Sequence, residues 1–474
     1  VTSPVEVRVP AGDGDVKSVS PAAAVEGWTP TSPERPRRDP EHDTRASRAI
    51  ARALRDIPFY QRRPGDPNGA SLESAGGAPL GDVLSRLPPL SKKDVRATLN
   101  KQWVPAGRDV RVDLESGALE LVETSGSTGE RMRILWDAGW WPRQEARAMR
   151  TNAFVAETMD GKRGAYREAV LTTPACGLGT CHIGDIPYEE RVQDYLLFLN
   201  QRSDPMFWTA DEQTRMLDEL GKHGTLGLES DPLYLALLAR FAREHGRTLD
   251  VRGYVQLTYA FTTRAHLRAI RQAYAGPVLQ LYGASDVGVL FMEGDDRLLH
   301  HAPFTTHVEL LRARVPTPGA TDVALVLATS LDRVAMPLVR YVVGDLVQVE
   351  TAGPRRWTSV PPLASVEGRV DDALVRPDGA LVTAGALDRA IGAVEGLRLW
   401  QVNQRTPDGV DVDVVVEGDA ARTVEETRAR LAPLLEGLAV AVRTATALPI
   451  EASGKFRVSK RHFPLDLPRA FEGL

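Results

Sequence analysis

The sequence predicts an α/β fold in two unequal parts, on three observations. The chain has 474 residues, more than one ordinary hydrophobic core organises, so two or more domains are expected. Beyond residue 130, short apolar runs of strand character alternate with amphipathic helical stretches, the pattern of an α/β layered architecture. At Val366-Glu367-Gly368-Arg369-Val370-Asp371-Asp372 the composition shifts, and a smaller α+β pattern follows.

Composition narrows the class. Hydrophobic residues at 43% and charged residues at 26% are the proportions of a soluble globular protein. A formal net charge of -5 leaves no basic footprint for nucleic acid. No apolar run is long enough to span a bilayer, and no basic-then-apolar leader opens the chain, so a cytoplasmic protein without a membrane partner is expected. Cys176 and Cys181 are the two cysteines. They cannot form a disulfide framework, and they fit a reducing compartment.

The elements follow in order. Val1 to Arg45, rich in Pro, Ser, Ala and charge, predicts a flexible tail. Ala46 to Arg55 predicts a helix with Ile50, Leu54 and Ile57 near one face, stopped by Pro58. Ser91 caps a helix over Lys92 to Leu99. Thr209 with Glu212 forms a capping box ahead of Met216 and Leu217. Asp231-Pro232 starts the helix of Leu233, Leu237, Leu238 and Phe241, and Gly246 ends it. A helix over Ala265 to Tyr274 closes at Gly276. The strand Val278-Leu279-Gln280-Leu281 then delivers Tyr282-Gly283 at its carboxyl end, where ligands gather in α/β sheets. Val323 to Ala328 and Leu338 to Val343 read as buried strands. In the smaller part, Val410 to Val416 alternates Asp with Val and predicts a strand, and Thr423 with Glu426 caps a helix through Leu438. Gly454-Lys455 lies in a polar loop.

One stretch carries the most chemistry. Thr124-Ser125-Gly126-Ser127-Thr128-Gly129 packs two glycines and hydroxyl side chains between two extended flanks. Such a loop folds its N–H groups into a nest for an anion, most often a polyphosphate. It is not a Walker loop, because no Lys-Ser/Thr follows Gly129 and the continuation reads as strand. A Ser/Gly-rich hairpin turn is the alternative for the loop alone.

With these pieces in order, the chain resembles the adenylate-forming superfamily of acyl-CoA synthetases and adenylation domains, and within it the phenylacetate-CoA ligase branch. Ile57-Pro58-Phe59-Tyr60 and Leu87-Pro88-Pro89-Leu90-Ser91-Lys92-Lys93-Asp94 are similar to the start of that branch. Thr124 to Gly129 matches the phosphate loop, and Tyr282-Gly283-Ala284-Ser285-Asp286 the adenine and metal motif. Met336-Pro337-Leu338-Val339-Arg340-Tyr341 leads to Gly344-Asp345, which resembles the ribose motif. Gly368-Arg369-Val370-Asp371-Asp372 matches the hinge, and Gly454-Lys455 the C-terminal lysine.

The resemblance implies a tail over 1–45, a large multi-subdomain adenylation domain over 46–368 that binds ATP and an acid, and a small mobile C-terminal domain over 372–474, with Asp371 as hinge. It implies activation of an organic acid, aromatic or aryl-alkanoic, as acyl-AMP with release of pyrophosphate, then transfer to coenzyme A. A carrier-protein thiol or a nitrogen nucleophile is the alternative acceptor, and an inactive nucleotide-binding scaffold the non-catalytic one. Lys455 and Arg369 would act in catalysis. Thr124, Ser125, Gly126, Ser127, Thr128, Gly129, Tyr282, Gly283, Ser285, Asp345 and Arg369 would hold ATP or AMP. Asp286 would be the ligand of a magnesium ion, and His182, Phe261 and Ala284 would line the acid pocket. The chain departs from the family at Glu130-Arg131, where Lys-Pro or a similar pair is usual. It departs again at Asp286, one methylene shorter than the usual glutamate, at Tyr259-Ala260-Phe261 in place of a Gly-Gly-Glu-like turn, and at Pro377-Asp378-Gly379-Ala380 past the hinge. Cys176, Cys181 and His182 fall short of the four ligands of a structural zinc site.

Overall fold

The computed structural model describes residues 41–62, 80–97, 101–124, 132–174, 183–350 and 360–474. Among them the main sheet has twelve strands. One side of it is parallel: Leu196–Phe198, Glu168–Leu171, Gly227–Ser230, Tyr254–Leu257 and Val278–Ala284 lie side by side in that order. The chain then reverses, and the sheet continues antiparallel through Gly288–Glu293, Leu299–His301, Leu363–Arg369, Tyr341–Val349, Val323–Ser330 and Thr306–Arg312. Every residue of Val323–Ser330 is buried, which is why its sequence reads as an apolar run rather than an alternation. The α/β class and the large-plus-small organisation expected from the sequence are those observed.

The helix signals held where the cap is local. Thr209 Oγ1 accepts from Glu212 N–H at 3.2 Å, and Thr209 N–H donates to Glu212 Oε2 at 2.8 Å, at the start of helix Ala210–His223. Asp231 accepts from Leu233 N–H at 2.9 Å ahead of helix Pro232–Glu244, and Gly246 follows with φ +65°. Ser91 Oγ accepts from Asp94 N–H at 3.2 Å and opens helix Lys92–Ala97.

Several boundaries moved, each for a tertiary reason. The tail does not reach Arg45: helix His42–Asp56 begins earlier, because His42 is buried and its Nε2 meets His307 Nδ1 at 3.1 Å. Helix Ala420–Leu431 starts at an Asp419 cap, not at Thr423, and ends seven residues before Leu438. Thr423 lies inside it, buried, with its hydroxyl donating to Glu395 C=O at 3.1 Å. Leu338 to Arg340 is not strand, and pairing begins at Tyr341. Arg340 sits at φ +50°, and the N–H groups of Val339 and Arg340 go to Tyr60 OH and Thr329 Oγ1 instead of a ladder.

The second sheet has four strands among the described residues, in the order Ala439–Thr444, Gly409–Val416, Leu397–Thr406 and Ser459–Arg461. It stands apart from the main sheet but packs onto its helices. Leu238 and Phe241 share one apolar cluster with Trp400 and Val402, and Arg240 Nη2 donates to Arg398 C=O at 3.0 Å. No helix among the described residues is long and apolar enough to cross a membrane.

Candidate active site

A cavity of about 730 Å³ lies at the carboxyl ends of the parallel strands, lined there by Thr172, Thr173, Thr258, Tyr259, Tyr282 and Gly283. Side chains and N–H groups at this end of a parallel sheet are not consumed by the ladder, so they are free to meet a ligand.

The segment Tyr282 to Asp286 forms one wall. The Tyr282 ring is buried and stacks on Phe291 with centroids 5.8 Å apart. Its OH donates to Asp345 Oδ2 at 3.0 Å. Gly283 must be glycine, because a Cβ there would sit 2.8 Å from Gly288 O and 2.9 Å from Val289 Cα on the returning strand. Asp286 is buried, and its Oδ2 accepts from Tyr341 OH. Ser285 and Ala284 line the cavity beside it, and Phe261 lines it from the neighbouring strand end.

The hairpin Leu119–Glu123 and Arg133–Asp137 is bolted to this wall. Trp136 Nε1–H donates to Ser285 C=O at 3.0 Å, and buried Arg333 bridges Leu135 C=O and Asp286 C=O. At the mouth of the hairpin Thr124 N–H donates to Met132 C=O at 2.8 Å, and Thr124 Oγ1 accepts from Met132 N–H at 3.0 Å. Thr124 and Met132 thus close the described end of the hairpin, with Thr124 lining the cavity. Ser125, Gly126, Ser127, Thr128, Gly129, Glu130, Arg131, Cys176, Cys181 and His182 lie outside the described residues.

Against Tyr282 stands an ion pair. Arg369 Nε lies 3.4 Å from Asp345 Oδ1, so Asp345 receives both Arg369 and Tyr282. Asp371 is exposed in the turn that follows. Its neighbour Asp372 is buried and accepts from Arg457 Nε–H at 2.7 Å. Arg461 Nη1 donates to Val370 C=O at 3.1 Å and also to Ala373 C=O. Lys455 lines the cavity beside Phe456 and Arg457. Burial pushes the Asp231 carboxyl up to about 6, against the pull of Leu233 N–H and of the Lys455 ammonium. The Lys455 loop is seated tightly: Tyr234 OH donates to Gly454 C=O at 3.0 Å.

Two groups in the cavity have no local sequence signal. Lys92 is brought in because Leu90 pairs with Tyr341: Leu90 N–H donates to Arg340 C=O and Val342 N–H to Leu90 C=O, each at 2.9 Å. Burial lowers the Lys92 pKa, and Asp286 and Asp345 pull it back up. Three glutamates, Glu145, Glu168 and Glu229, form a second, acidic wall. Among the described residues no group of three or more His, Cys, Asp and Glu side chains is arranged to hold a metal ion. Asp286 and Asp345 are the carboxylates that line the cavity nearest Tyr282.

No family model and no curated protein matches the sequence. Solved structures do. A crystal structure of 2-hydroxyisobutyryl-CoA ligase in the postadenylation state with 2-HIB-AMP is 16% identical, covers 92% of this chain and 94% of its own, and superposes with a TM-score of 0.65. The same protein in the thioesterification state with 2-HIB-AMP and CoA, again 16% identical and covering 92% and 95%, gives 0.51. An open conformation, at 16% identity and 92% and 96% coverage, gives 0.52. The chain therefore has the fold of these ligases.

Proposed function

We propose that this chain is an adenylate-forming enzyme that activates a carboxylic acid with ATP and passes the acyl group to coenzyme A. The observation that supports this best is the convergence of Tyr282, Asp286, Asp345, Arg369 and Lys455, from four separate sequence motifs, on one cavity at the strand ends. The acid carboxylate attacks the α-phosphorus, the bond to the β-phosphate oxygen breaks, and pyrophosphate leaves with the electron pair. The coenzyme A thiolate then attacks the acyl carbon and AMP departs.

Each residue has a task in this reading. Tyr282 offers its ring to adenine. Asp345, fixed by Tyr282 and Arg369, accepts from the ribose hydroxyls. The hairpin loop from Thr124 to Gly129 donates to the β- and γ-phosphates. Lys455, with Arg369, stabilises charge on the α-phosphate as the fifth bond forms. Lys92, in electrostatic reach of Asp286 and Asp345, brings a further cation to the polyphosphate. A magnesium ion carried with ATP would take Asp286 as its protein ligand and neutralise phosphate charge. Trp136, Trp141, Phe198 and Phe261 line the cavity and favour an aromatic or aryl-alkanoic acid.

The domain reading is that 46–368 binds ATP and acid, and that 372–474 swings about Asp371 between the half-reactions. Arg457 bound to Asp372 and Arg461 bound to Val370 and Ala373 carry the small sheet with the turn. Gly454→Ala tests the seating of the lysine. The residue has φ +79°, and a Cβ would lie 2.4 Å from Thr173 Oγ1. Adenylation is expected to fall by roughly tenfold or more through misplacement of Lys455, with a modest loss of thermal stability from the left-handed φ. Full adenylation activity in this variant would contradict the seating.

Acid-dependent exchange of labelled pyrophosphate into ATP tests the function itself. Exchange with at least one acid, and AMP release that requires coenzyme A, are expected. AMP release driven instead by a carrier protein or an amine would reassign the acceptor. Absence of exchange across a broad acid panel would leave only the scaffold reading.

A further inference from the structure

One end of the cavity is built against the expectation for an aromatic acid. Glu168 opens the strand Glu168–Leu171, and Glu229 lies in Gly227–Ser230, where Val170 is its neighbour across the ladder. Residues two apart on a strand share a face, so Glu168 and Glu229 project from the same face, with Gln256 beside Glu229 on the next strand. Glu145 joins them from helix Trp140–Met149. Glu168 and Glu229 are 9% and 8% exposed.

Their partners are all neutral. Tyr166 OH donates to Glu168 Oε2 at 2.9 Å, Tyr259 OH to Glu229 Oε1, and Gln256 Nε2–H to Glu229 Oε2 at 3.3 Å. The Trp141 indole serves Glu145. Among the described residues no Lys, Arg or His pulls down any of the three carboxyl groups, and His223 Nε2 meets Glu168 only at its main-chain carbonyl, at 3.0 Å. Burial is the largest cause raising each carboxyl, Glu168 to about 8, and neighbouring glutamates raise Glu145 and Glu168 further. The fully buried Gln256 amide, which reaches into the cluster through Nε2, leaves its Oε1 without a partner. Three carboxylates lining one end of the cavity with only neutral donors are complementary to a cation with several N–H groups.

We propose that the acid activated in this cavity carries a protonated amine, held by Glu145, Glu168 and Glu229. The inference rests on the reading of the cavity as the acid site and adds the substrate's class. An ammonium has three donors and no acceptor, and the cluster has acceptors and no cation. Tyr195 and Trp141, which line the same end, present aromatic faces that also attract an ammonium. The cluster lacks the arrangement of a metal site.

The test compares matched acids by calorimetric binding to the whole protein at pH 8 without ATP. 4-(Aminomethyl)benzoate is set against 4-ethylbenzoate and 4-(hydroxymethyl)benzoate, and 6-aminohexanoate against heptanoate and 6-hydroxyhexanoate. The amine-bearing acid is expected to bind tighter than its neutral partners by roughly 30-fold or more in at least one series. Glu168→Gln and Glu229→Gln are expected to cut that preference at least tenfold while melting no lower than the parent, since each removes a buried charge without changing shape. Equal or tighter binding of the alkyl or hydroxyl acids by the parent overturns the proposal, whether or not the variants fold. So does a preference that survives both variants. Pyrophosphate exchange on the same acids separates the two readings. Exchange without amine preference keeps the function and discards this inference. Amine-selective binding without exchange supports the inference and discards the function.

Discussion

Lys455→Ala is expected to slow acyl-adenylate formation by about a hundredfold or more, by comparison with the loss of other preorganised donors, and to leave ATP affinity nearly unchanged. Negative charge collects on the non-bridging α-phosphate oxygens only as the acid carboxylate adds. A cation at that point therefore acts on turnover more than on binding. The ammonium lies in the cavity in electrostatic reach of Asp231, on a loop pinned by Tyr234 OH at Gly454 C=O and by Arg457 at Asp372. This is a preorganised placement. In the second half-reaction the lysine is expected to have moved away, so acyl-adenylate supplied to the variant should be converted to thioester at close to the parental rate. Rapid-quench measurement of both half-reactions decides it. Unimpaired adenylation would remove Lys455 from the mechanism.

Asp345→Ala is expected to lower kcat/KM for ATP by roughly a hundredfold or more, with the acid's own binding unchanged. Asp345 receives Tyr282 OH and stands 3.4 Å from Arg369 Nε, with 15% of its side chain exposed. In the proposed role the carboxylate accepts from both ribose hydroxyls, and hydrogen bonds to a charged group are worth about 1.5–3 kcal/mol each, so losing the acceptor is about a hundredfold. Asp345→Asn keeps an acceptor for Tyr282 but not the charge, so it should fall between parent and Ala. Steady-state kinetics in ATP, paired with direct titration of the acid, is the check. A variant that loses thermal stability but keeps its ATP parameters would show that Asp345 serves only the fold.

The elements and their order could be read from the sequence because their signals are local. The Thr209–Glu212 and Asp231–Pro232 helix starts need only neighbouring residues to form. Tyr282-Gly283 ends a strand whose apolar run marks it. Boundaries failed where a distant partner competes. Thr423 has the chemistry of an N-cap, but its hydroxyl is drawn to Glu395 C=O, and Asp419 caps instead. The N-terminal helix extends to His42 because His307, far along the chain, takes its side chain.

The sequence by itself determined the α/β class, the two-part organisation, and the motif residues, among which Tyr282, Asp345, Arg369 and Lys455 line one cavity. Only the tertiary structure brought Lys92 into the same cavity, through the Leu90–Tyr341 pairing. Only it placed Glu145, Glu168 and Glu229 together, with no cation among the described residues acting on their carboxyl groups. Glu145 reads locally as one polar residue of an amphipathic helix, and Glu168 and Glu229 as polar residues at short strands. Which charges share a low-dielectric space is set by what the fold removes from water around them. That is a property of strands and helices packed together, and no local window of residues encodes it.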